Sequence, residues 1–219
     1  MRMPTTRERW ERDRLIATAY DLVVEREAPV RLAGRALWGC DTRELFRAID
    51  RVASVDPGTR VLDVPCGGGV ALRGLRPGQD VDYTAADLSQ TMLGRAEAVA
   101  RRRGVADRVR FERVDISAMP FDDDHFDLVQ SFNGLHCLTD PADALVELRR
   151  VLRPGGALRA TCVIRGVGAR QDAAIGVLRR FGIFGVVGTG RDLEWWLRSA
   201  GFTTVTIRRS GALALVDAG

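Results

Sequence analysis

The 219-residue sequence predicts an α/β fold built around a parallel sheet. Three observations lead there. The run Val61-Leu62-Asp63-Val64 is apolar on both faces, as a central parallel strand must be, and it breaks at once into Gly67-Gly68-Gly69. Beyond it, short apolar runs alternate with stretches of helical periodicity, the order that βα units impose. The chain then ends on two strands joined by a tight Ser210-Gly211 turn, whose shortness makes the pair an antiparallel hairpin.

Taken in order, Leu15, Ile16, Ala19, Leu22 and Val23 recur at helical spacing between Arg7 and Arg26, so an amphipathic helix is expected there, ended by Pro29. Tyr20 on this helix reads either as a half-buried aromatic or as a lid residue over a pocket. Asp41-Thr42-x-Glu44 has the form of a capping box and starts a second helix through Leu45, Phe46, Ile49 and Val52. Pro57-Gly58 turns the chain into the central strand. The glycines after that strand leave no Cβ in the way, so a ligand can approach the main chain closely. Val70 to Leu75 is expected to be a short helix whose N-terminal amides and positive dipole end face that ligand, which together make a nucleotide-binding opening.

Val81 to Ala86 is a second strand ending in Asp87, and Leu88 to Arg103 a helix with Met92, Leu93, Ala96 and Val99 turned inward. Asp87 lies eighteen residues beyond Gly69. In nucleotide-binding α/β folds an acid at about this distance accepts hydrogen bonds from ribose hydroxyls, a task that suits a carboxylate because it only accepts. The alternative role is an N-cap for the helix that follows. Val109 to Val114 is a third strand, closed by Asp115 and the loop 116–121. Asp122-Asp123-Asp124-His125 reads as solvated turn chemistry, since no partner ligand stands at a defined metal spacing. Phe126 to Phe132 is a fourth strand and puts Asn133 to Cys137 at its carboxyl end, the edge where open parallel sheets bind ligands.

Asp140-Pro141 opens a helix that runs through Leu145, Val146, Leu148 and Leu152 and stops at Arg153-Pro154-Gly155-Gly156. Ala157 to Ile164 is a fifth strand. From 165 to 191 glycines break the pattern and no firm helix is expected around Phe181 and Phe184. Asp192 to Ala200 is a helix carrying Trp195-Trp196, and strands over Thr203–Arg208 and Ala212–Val216 complete a count of seven.

Composition narrows the function classes. All 33 basic residues are arginine, which removes Schiff-base and P-loop lysine chemistry. The net charge of +4 is modest, and Arg101-Arg102-Arg103 suits a helix C-terminus as well as a basic patch, so no nucleic-acid partner is expected. Cys40, Cys66, Cys137 and Cys162 show neither ligand nor disulfide spacing and are expected to be free thiols, with no metal. No run of eighteen apolar residues occurs, and the arginine-rich start lacks an apolar signal core; a cytoplasmic protein with no membrane span is expected. The length suits one domain. Nothing here speaks to oligomeric state.

Four segments in this order amount to a pattern: Val61-Leu62-Asp63-Val64-x-Cys66-Gly67-x-Gly69, Asp87-Leu88-Ser89-x-x-Met92-Leu93, Asp115-x-x-x-x-Pro120-Phe121 to Phe126-Asp127, and Arg150 to Gly156. From about Val61 to Val216 the chain resembles the class I S-adenosylmethionine-dependent methyltransferases of the ubiquinone/menaquinone-biosynthesis-like type. The resemblance implies a Rossmann-like, seven-stranded, mostly parallel sheet with an antiparallel last strand and helices on both faces. It implies S-adenosyl-L-methionine as cofactor, with Asp63 beneath the methionine amino group and the backbone of Cys66 to Gly69 wrapped around it. Asp87 would then bind the ribose, Leu88 and Met92 the adenine face, Asp115 the exocyclic amine, and the Ile116 amide a ring nitrogen. Ser131 to Asn133 would flank the methionine end. Pro65 departs from the pattern, standing where a glycine is usual; it removes one amide donor and fixes φ, which the loop is expected to tolerate. Residues 1–56 are expected to form part of the acceptor site, 57–219 the cofactor core, and 165–191 a variable cover over the acceptor pocket.

Methyl transfer from a sulfonium is a direct displacement, so alignment and exclusion of water are the main demands. Where the acceptor carries a proton, His136 is the one histidine on the ligand edge and a candidate base, with Tyr20 and Trp38 as further acceptor-side candidates; packing near the strand end is the other role open to His136. A nicotinamide oxidoreductase is a rival, but the third glycine of G-x-G-x-x-G is missing after Gly69. A domain that binds the cofactor without transferring methyl is the other. Without an Asn-Pro-Pro-Tyr-type tetrapeptide after the fourth strand, a small-molecule acceptor is expected; the sequence names neither the molecule nor the atom methylated.

Overall fold

The structure, a computed structural model, describes residues 31–219. The stretch Arg7–Arg26 with Tyr20 lies outside the described residues. After a π-helical turn at Gly34–Trp38 come α1 (Arg43–Asp50), β1 (Thr59–Asp63) and β2 (Val81–Asp87). Helix α2 (Gln90–Arg103) leads to β3 (Val109–Arg113) and β4 (Phe126–Phe132), and α3 (Pro141–Val151) to β5 (Leu152–Val163). Two helices, α4 (Ala169–Arg180) and α5 (Gly190–Ser199), precede the hairpin β6 (Val205–Ser210) and β7 (Leu213–Ala218).

The strands form one sheet in the order β3-β2-β1-β4-β5-β7-β6, and β7 alone runs antiparallel to its neighbours β5 and β6. Alternation along the central strands divides the core. Leu62, Val129, Leu158 and Ala160 pack with α3 and α5, whereas Val61, Tyr83, Ala85 and Leu128 pack with α2, so helices cover both faces. Helix α1 closes the second face over Phe132, Leu213 and Leu215. Strand order reverses between β1 and β4, and that switch point opens a crevice at the carboxyl edge.

Several local expectations are corrected. No capping box forms at α1: Asp41 Oδ1 accepts the Arg43 N–H at 3.1 Å, while Glu44 is drawn to Arg47 at 2.6 Å and Arg208 at 3.5 Å. Val70–Gly74 is a 3-10 turn and not an α-helix, too short to present a macrodipole. It packs so tightly on α1 that a Cβ at Gly74 would run into the Ile49 carbonyl and Val52. The segment 165–191 holds a full helix, α4, because Gly176 faces open space and disturbs no packing, and Gly182 at φ 67° lies beyond the helix end. The final turn lies later than expected, at Gly211-Ala212. It is fastened there by the N-terminal segment, since Trp38 O accepts the Ala212 N–H at 2.9 Å and Ser210 Oγ the Asp41 N–H at 2.8 Å.

Among the described residues no helix is long and apolar enough to cross a membrane.

Candidate functional site

The carboxyl ends of β1, β2 and β4 and the loop after β3 enclose a cavity of about 490 Å³. Its floor is the glycine turn. The Cys66 N–H donates to Ala86 O at 2.8 Å and the Gly67 N–H to Asp87 Oδ2 at 2.9 Å, which ties the turn to the tip of β2. Gly67 holds φ 52° with no atom within 4 Å of where a Cβ would stand, so its bare backbone faces the cavity. Gly69 (φ 86°) has the opposite constraint: a Cβ there would meet Leu72 Cδ1 at 2.9 Å and Ala96 Cα at 3.0 Å, so the glycine lets the turn lie directly on α2.

Asp87 is 8% exposed and its other oxygen accepts the Ser89 N–H at 2.9 Å. Burial raises its carboxyl above the usual value, and the Ser89 and Gly67 amides work against that rise. The cap of α2 is Ser89, whose hydroxyl accepts the Met92 N–H; Asp87 is not the cap. With two amides satisfied, Asp87 keeps acceptor capacity toward the cavity that it lines.

Asp115 Oδ1 accepts the Ser117 N–H at 3.0 Å and shares the far wall with Ile116. This loop is clamped from behind. The Arg150 guanidinium reaches Met119 O at 3.0 Å, Phe121 O at 2.8 Å, Asp123 at 2.7 Å and both Glu147 oxygens at 2.9 Å, while Glu147 also accepts the Met119 N–H. The Arg150 bonds hold the Glu147 carboxyl below its ordinary value.

Ten of the predicted binding residues line this one cavity: Pro65, Cys66, Gly67, Gly69, Asp87, Leu88, Met92, Asp115, Ile116 and Asn133. Asp63 and Ser131 lie beneath it, at 1% and 0% exposure, with Asp63 Oδ2 and Ser131 Oγ unpartnered. Asp63 stands opposite Gln130 across β1 and β4, and the buried Tyr83 hydroxyl, 3.4 Å from Gln130 Oε1, also bears on Asp63. Burial pushes the Asp63 carboxyl to about 8; Tyr83 opposes this and the nearby Asp87 charge adds to it. Asn133 sits at φ 58°, held by its N–H to Thr161 O at 2.8 Å and by the Thr161 hydroxyl, which donates to Asn133 Oδ1 at 3.2 Å.

Pro65 is accommodated by Gly134: a Cβ at that position would overlap the Pro65 ring, so the loop after β4 carries a glycine where the first loop carries a proline.

His136 is corrected as a base candidate. It lies on the 3-10 turn Leu135–Cys137 with its ring turned away from the cavity, where Nδ1 accepts the Val163 N–H at 3.2 Å and the ring meets Phe184 edge-on at 4.4 Å. Burial depresses its pKa to about 3, so it is a neutral packing group. Trp38 likewise stacks on Phe184 at 5.8 Å and lines no part of the cavity. Nor does any residue from 165 to 191. Instead the Gly185 and Val186 amides bond His136 O and Leu138 O at 3.0 and 2.8 Å, bracing the loop from outside.

The sequence reading placed Cys137 on this edge but missed Leu138 and Thr139, which continue the wall, and it read Val99 of α2 as core and missed Arg102 and Arg103 beside it. Position after β4 could have signalled the first group. The stripe Met92, Ala96, Val99, Arg103 could have signalled the second, being one face of a helix.

The cavity suits a nucleoside: it has a glycine cradle, a carboxylate with spare acceptors for a diol, the apolar side chains of Met92 and Ile116 in its wall for a base, and below it a buried carboxyl with one oxygen unpartnered.

Comparison with known proteins agrees. Residues 61–156 match a methyltransferase domain family model. The 27-O-demethylrifamycin SV methyltransferase of Amycolatopsis mediterranei is 36% identical over 115 residues, covering 51% of this chain and 42% of the relative. A ubiquinone/menaquinone biosynthesis C-methyltransferase UbiE of Ectopseudomonas mendocina is 36% identical over 146 residues, covering 65% and 53%. The chain thus spans about half the length of the curated relatives it matches. Among solved structures, the (4+2)-cyclase SpnF superposes with a TM-score of 0.65 at 28% identity, covering 96% of this chain and 77% of that one. Phosphoethanolamine N-methyltransferase 2 of Haemonchus contortus shares the fold with a TM-score of 0.71 at 20% identity, covering 94% and 46%. The family match runs from β1 into the start of β5 and so takes in every strand tip that borders the cavity: over residues 61–156 this chain is similar to a methyltransferase domain.

Proposed function

We propose that this chain transfers a methyl group from S-adenosylmethionine to a small-molecule acceptor by direct displacement. The observation that carries the reading is Asp87, which fixes the glycine turn through Gly67, leaves the helix cap to Ser89, and still opens onto the cavity. In this reading Asp87 accepts from the ribose hydroxyls, Leu88, Met92 and Ile116 enclose the adenine, Asp115 accepts from its amine, and Asp63 lies below the α-ammonium. When bound, the cofactor supplies an electrophilic methyl on a sulfonium. The protein's share is to orient the partners and exclude water, and His136 takes no part in proton transfer. Support for a small acceptor comes from relatives named for a demethylrifamycin and for ubiquinone and menaquinone biosynthesis. The test is incubation with methyl-labelled S-adenosylmethionine and a metabolite extract. Label should move to a small product as S-adenosylhomocysteine accumulates; label appearing only in macromolecules would sink the small-acceptor reading.

A second reading has its own support. The neighbour SpnF, titled a (4+2)-cyclase, is 28% identical against 20% for the N-methyltransferase given above, although its TM-score is lower (0.65 against 0.71), so the same fold also serves proteins named for other reactions. Tight cofactor binding without turnover on any extract would favour it.

A further inference from the structure

Beneath the cavity a row of polar side chains crosses the sheet. Register sets Asp63 of β1 opposite Gln130 of β4, Gln130 opposite Arg159 of β5, and Arg159 opposite Asp217 of β7, so the four share the face that carries Val61, Tyr83 and Leu128. The outer end reaches solvent and is paired, Asp217 with Arg51. The inner end is neither. Gln130 is 0% exposed, and among the described residues its Nε2 has no acceptor, Asp63 Oδ2 has no donor, and Arg159 Nε and Nη1 have no acceptor. A buried amide donor without a partner destabilises the fold, and Leu128, Val129 and Phe132 show that apolar residues fit this strand.

The Tyr83 hydroxyl lies between the two inner groups, 3.4 Å from Gln130 Oε1 and also a donor to Asp63. It has one proton and cannot serve both. A protonated Asp63 brings its own donor and leaves the Tyr83 proton to Gln130 Oε1. An ionised Asp63 only accepts, so it draws the Tyr83 proton and leaves Gln130 Oε1 and the tyrosine oxygen facing each other as two acceptors. A half-turn of the Gln130 carboxamide resolves this, because it exchanges Oε1 for Nε2 at nearly the same place and gives the tyrosine oxygen a donor. It also puts Oε1 where Nε2 stood, in a row whose next side chain, Arg159, lacks acceptors.

Burial favours the neutral acid and holds the Asp63 carboxyl at about 8, whereas donors to the charged form oppose that. Asp87 of β2 raises Asp63 further, and Cys66 of the glycine turn also faces it. Burial lifts the Cys66 thiol and the Tyr83 hydroxyl above their ordinary values, so both stay protonated at neutral pH. The helices packed on this face, α1 and α2, turn apolar side chains to it, and Arg51 and Asp217 act on Arg159 at the far end.

We propose that Gln130 and Tyr83 are positioning residues that act on the cofactor through Asp63: in the bound protein the turned carboxamide donates to the Tyr83 oxygen and the Tyr83 hydroxyl to the Asp63 carboxylate, fixing it as counter-ion of the α-ammonium. Tyr83 keeps its proton, and the one Asp63 gives up leaves to solvent. The proposal rests on the methyltransferase reading, which sets that ammonium above Asp63.

The probes are S-adenosylhomocysteine and methylthioadenosine, which lacks the amino-acid part. Calorimetric affinities are compared between pH 6 and 8, where the ligand's own amine is common to all variants. In wild type S-adenosylhomocysteine binding should weaken toward acid pH and methylthioadenosine binding should not. Gln130→Met and Tyr83→Phe should each move that acid limb up by at least half a pH unit, read at pH 7 as an affinity roughly threefold lower or more, with methylthioadenosine affinity within about twofold of wild type. In an Asp63→Asn background neither substitution should change S-adenosylhomocysteine affinity. The two variants are independent, so if one fails to fold the other decides. An acid limb that stays in place overturns the proposal, as does an equal loss for both ligands, the mark of a merely structural role, or a wild-type protein with no acid limb. Wild-type protein that binds neither nucleoside overturns the underlying reading instead, so the two failures are told apart.

Discussion

Two acids at neighbouring strand tips have different environments and separable consequences. Asp87→Ala removes charge-assisted bonds and should weaken S-adenosylhomocysteine binding by about 1.5–3 kcal/mol, roughly ten- to a hundredfold. Ser89→Ala removes the cap of α2 and should cost about 1 kcal/mol of stability while affinity holds. Titration and melting of the two variants separate the roles; an Asp87 variant with wild-type affinity would end the ribose assignment. Asp63 is a matter of protons. Its folded pKa of about 8 stands above its ordinary 3.8, so the folded protein binds a proton that the unfolded chain releases, and this contribution to stability falls as pH rises from about 4 to 8. A cation beside Asp63 favours the carboxylate and reverses the sign for binding. S-adenosylmethionine affinity should therefore rise with pH up to about 8, with proton release visible at pH 7 as a dependence of binding heat on buffer ionisation enthalpy. Asp63→Asn should abolish the dependence, and an equal dependence in that variant would show that another group titrates.

At the scale of elements, the loop after β3 is held by Arg150 of α3, which spans Met119, Phe121, Asp123 and Glu147 and leaves Asp115 and Ile116 facing the cavity. Arg150→Gln should speed hydrogen exchange over residues 115–121 and weaken S-adenosylhomocysteine binding roughly three- to tenfold without touching the ligand. Unchanged exchange there would mean that the loop holds its shape by itself. The same comparison of elements explains what the sequence disclosed. The strands were legible because burial on both faces leaves runs such as Val61–Val64 apolar but for Asp63, and α3 because Asp140-Pro141 and four apolar residues at helical spacing mark it. Helix α4 was not, because Ile175 is its only buried residue and a helix that buries one side chain leaves no period to read. His136 was placed on the correct edge, yet its direction depends on a 3-10 turn and on the Val163 amide of another strand, neither of which spacing encodes. The Pro65 and Gly134 pair was half legible: the proline stood out as a departure, but its compensation lies sixty-nine residues away and only the close approach of two loops reveals it.

For the molecule as a whole, the cavity joins elements from both halves of the sheet, since the loops after β1, β2 and β3 contribute to its wall on one side of the switch point and the loop after β4 on the other. A ligand held there contacts segments that separate on unfolding, so it stabilises the folded state by mass action. At a concentration one hundred times its Kd, S-adenosylhomocysteine should add about 2.7 kcal/mol. For a chain of this length that corresponds to a rise in melting temperature of about 5–10 °C. NADH should give no such rise, because the turn after Gly69 lacks the third glycine and is a single 3-10 turn where a dinucleotide fold requires a helix N-terminus. The shift should also shrink in Asp87→Ala and persist in Ser89→Ala at matched concentrations, which ties the global stabilisation to the strand tip rather than to the helix. A melt raised equally by NADH, or not raised by S-adenosylhomocysteine at any concentration up to the millimolar range, would separate this cavity from the cofactor its architecture fits.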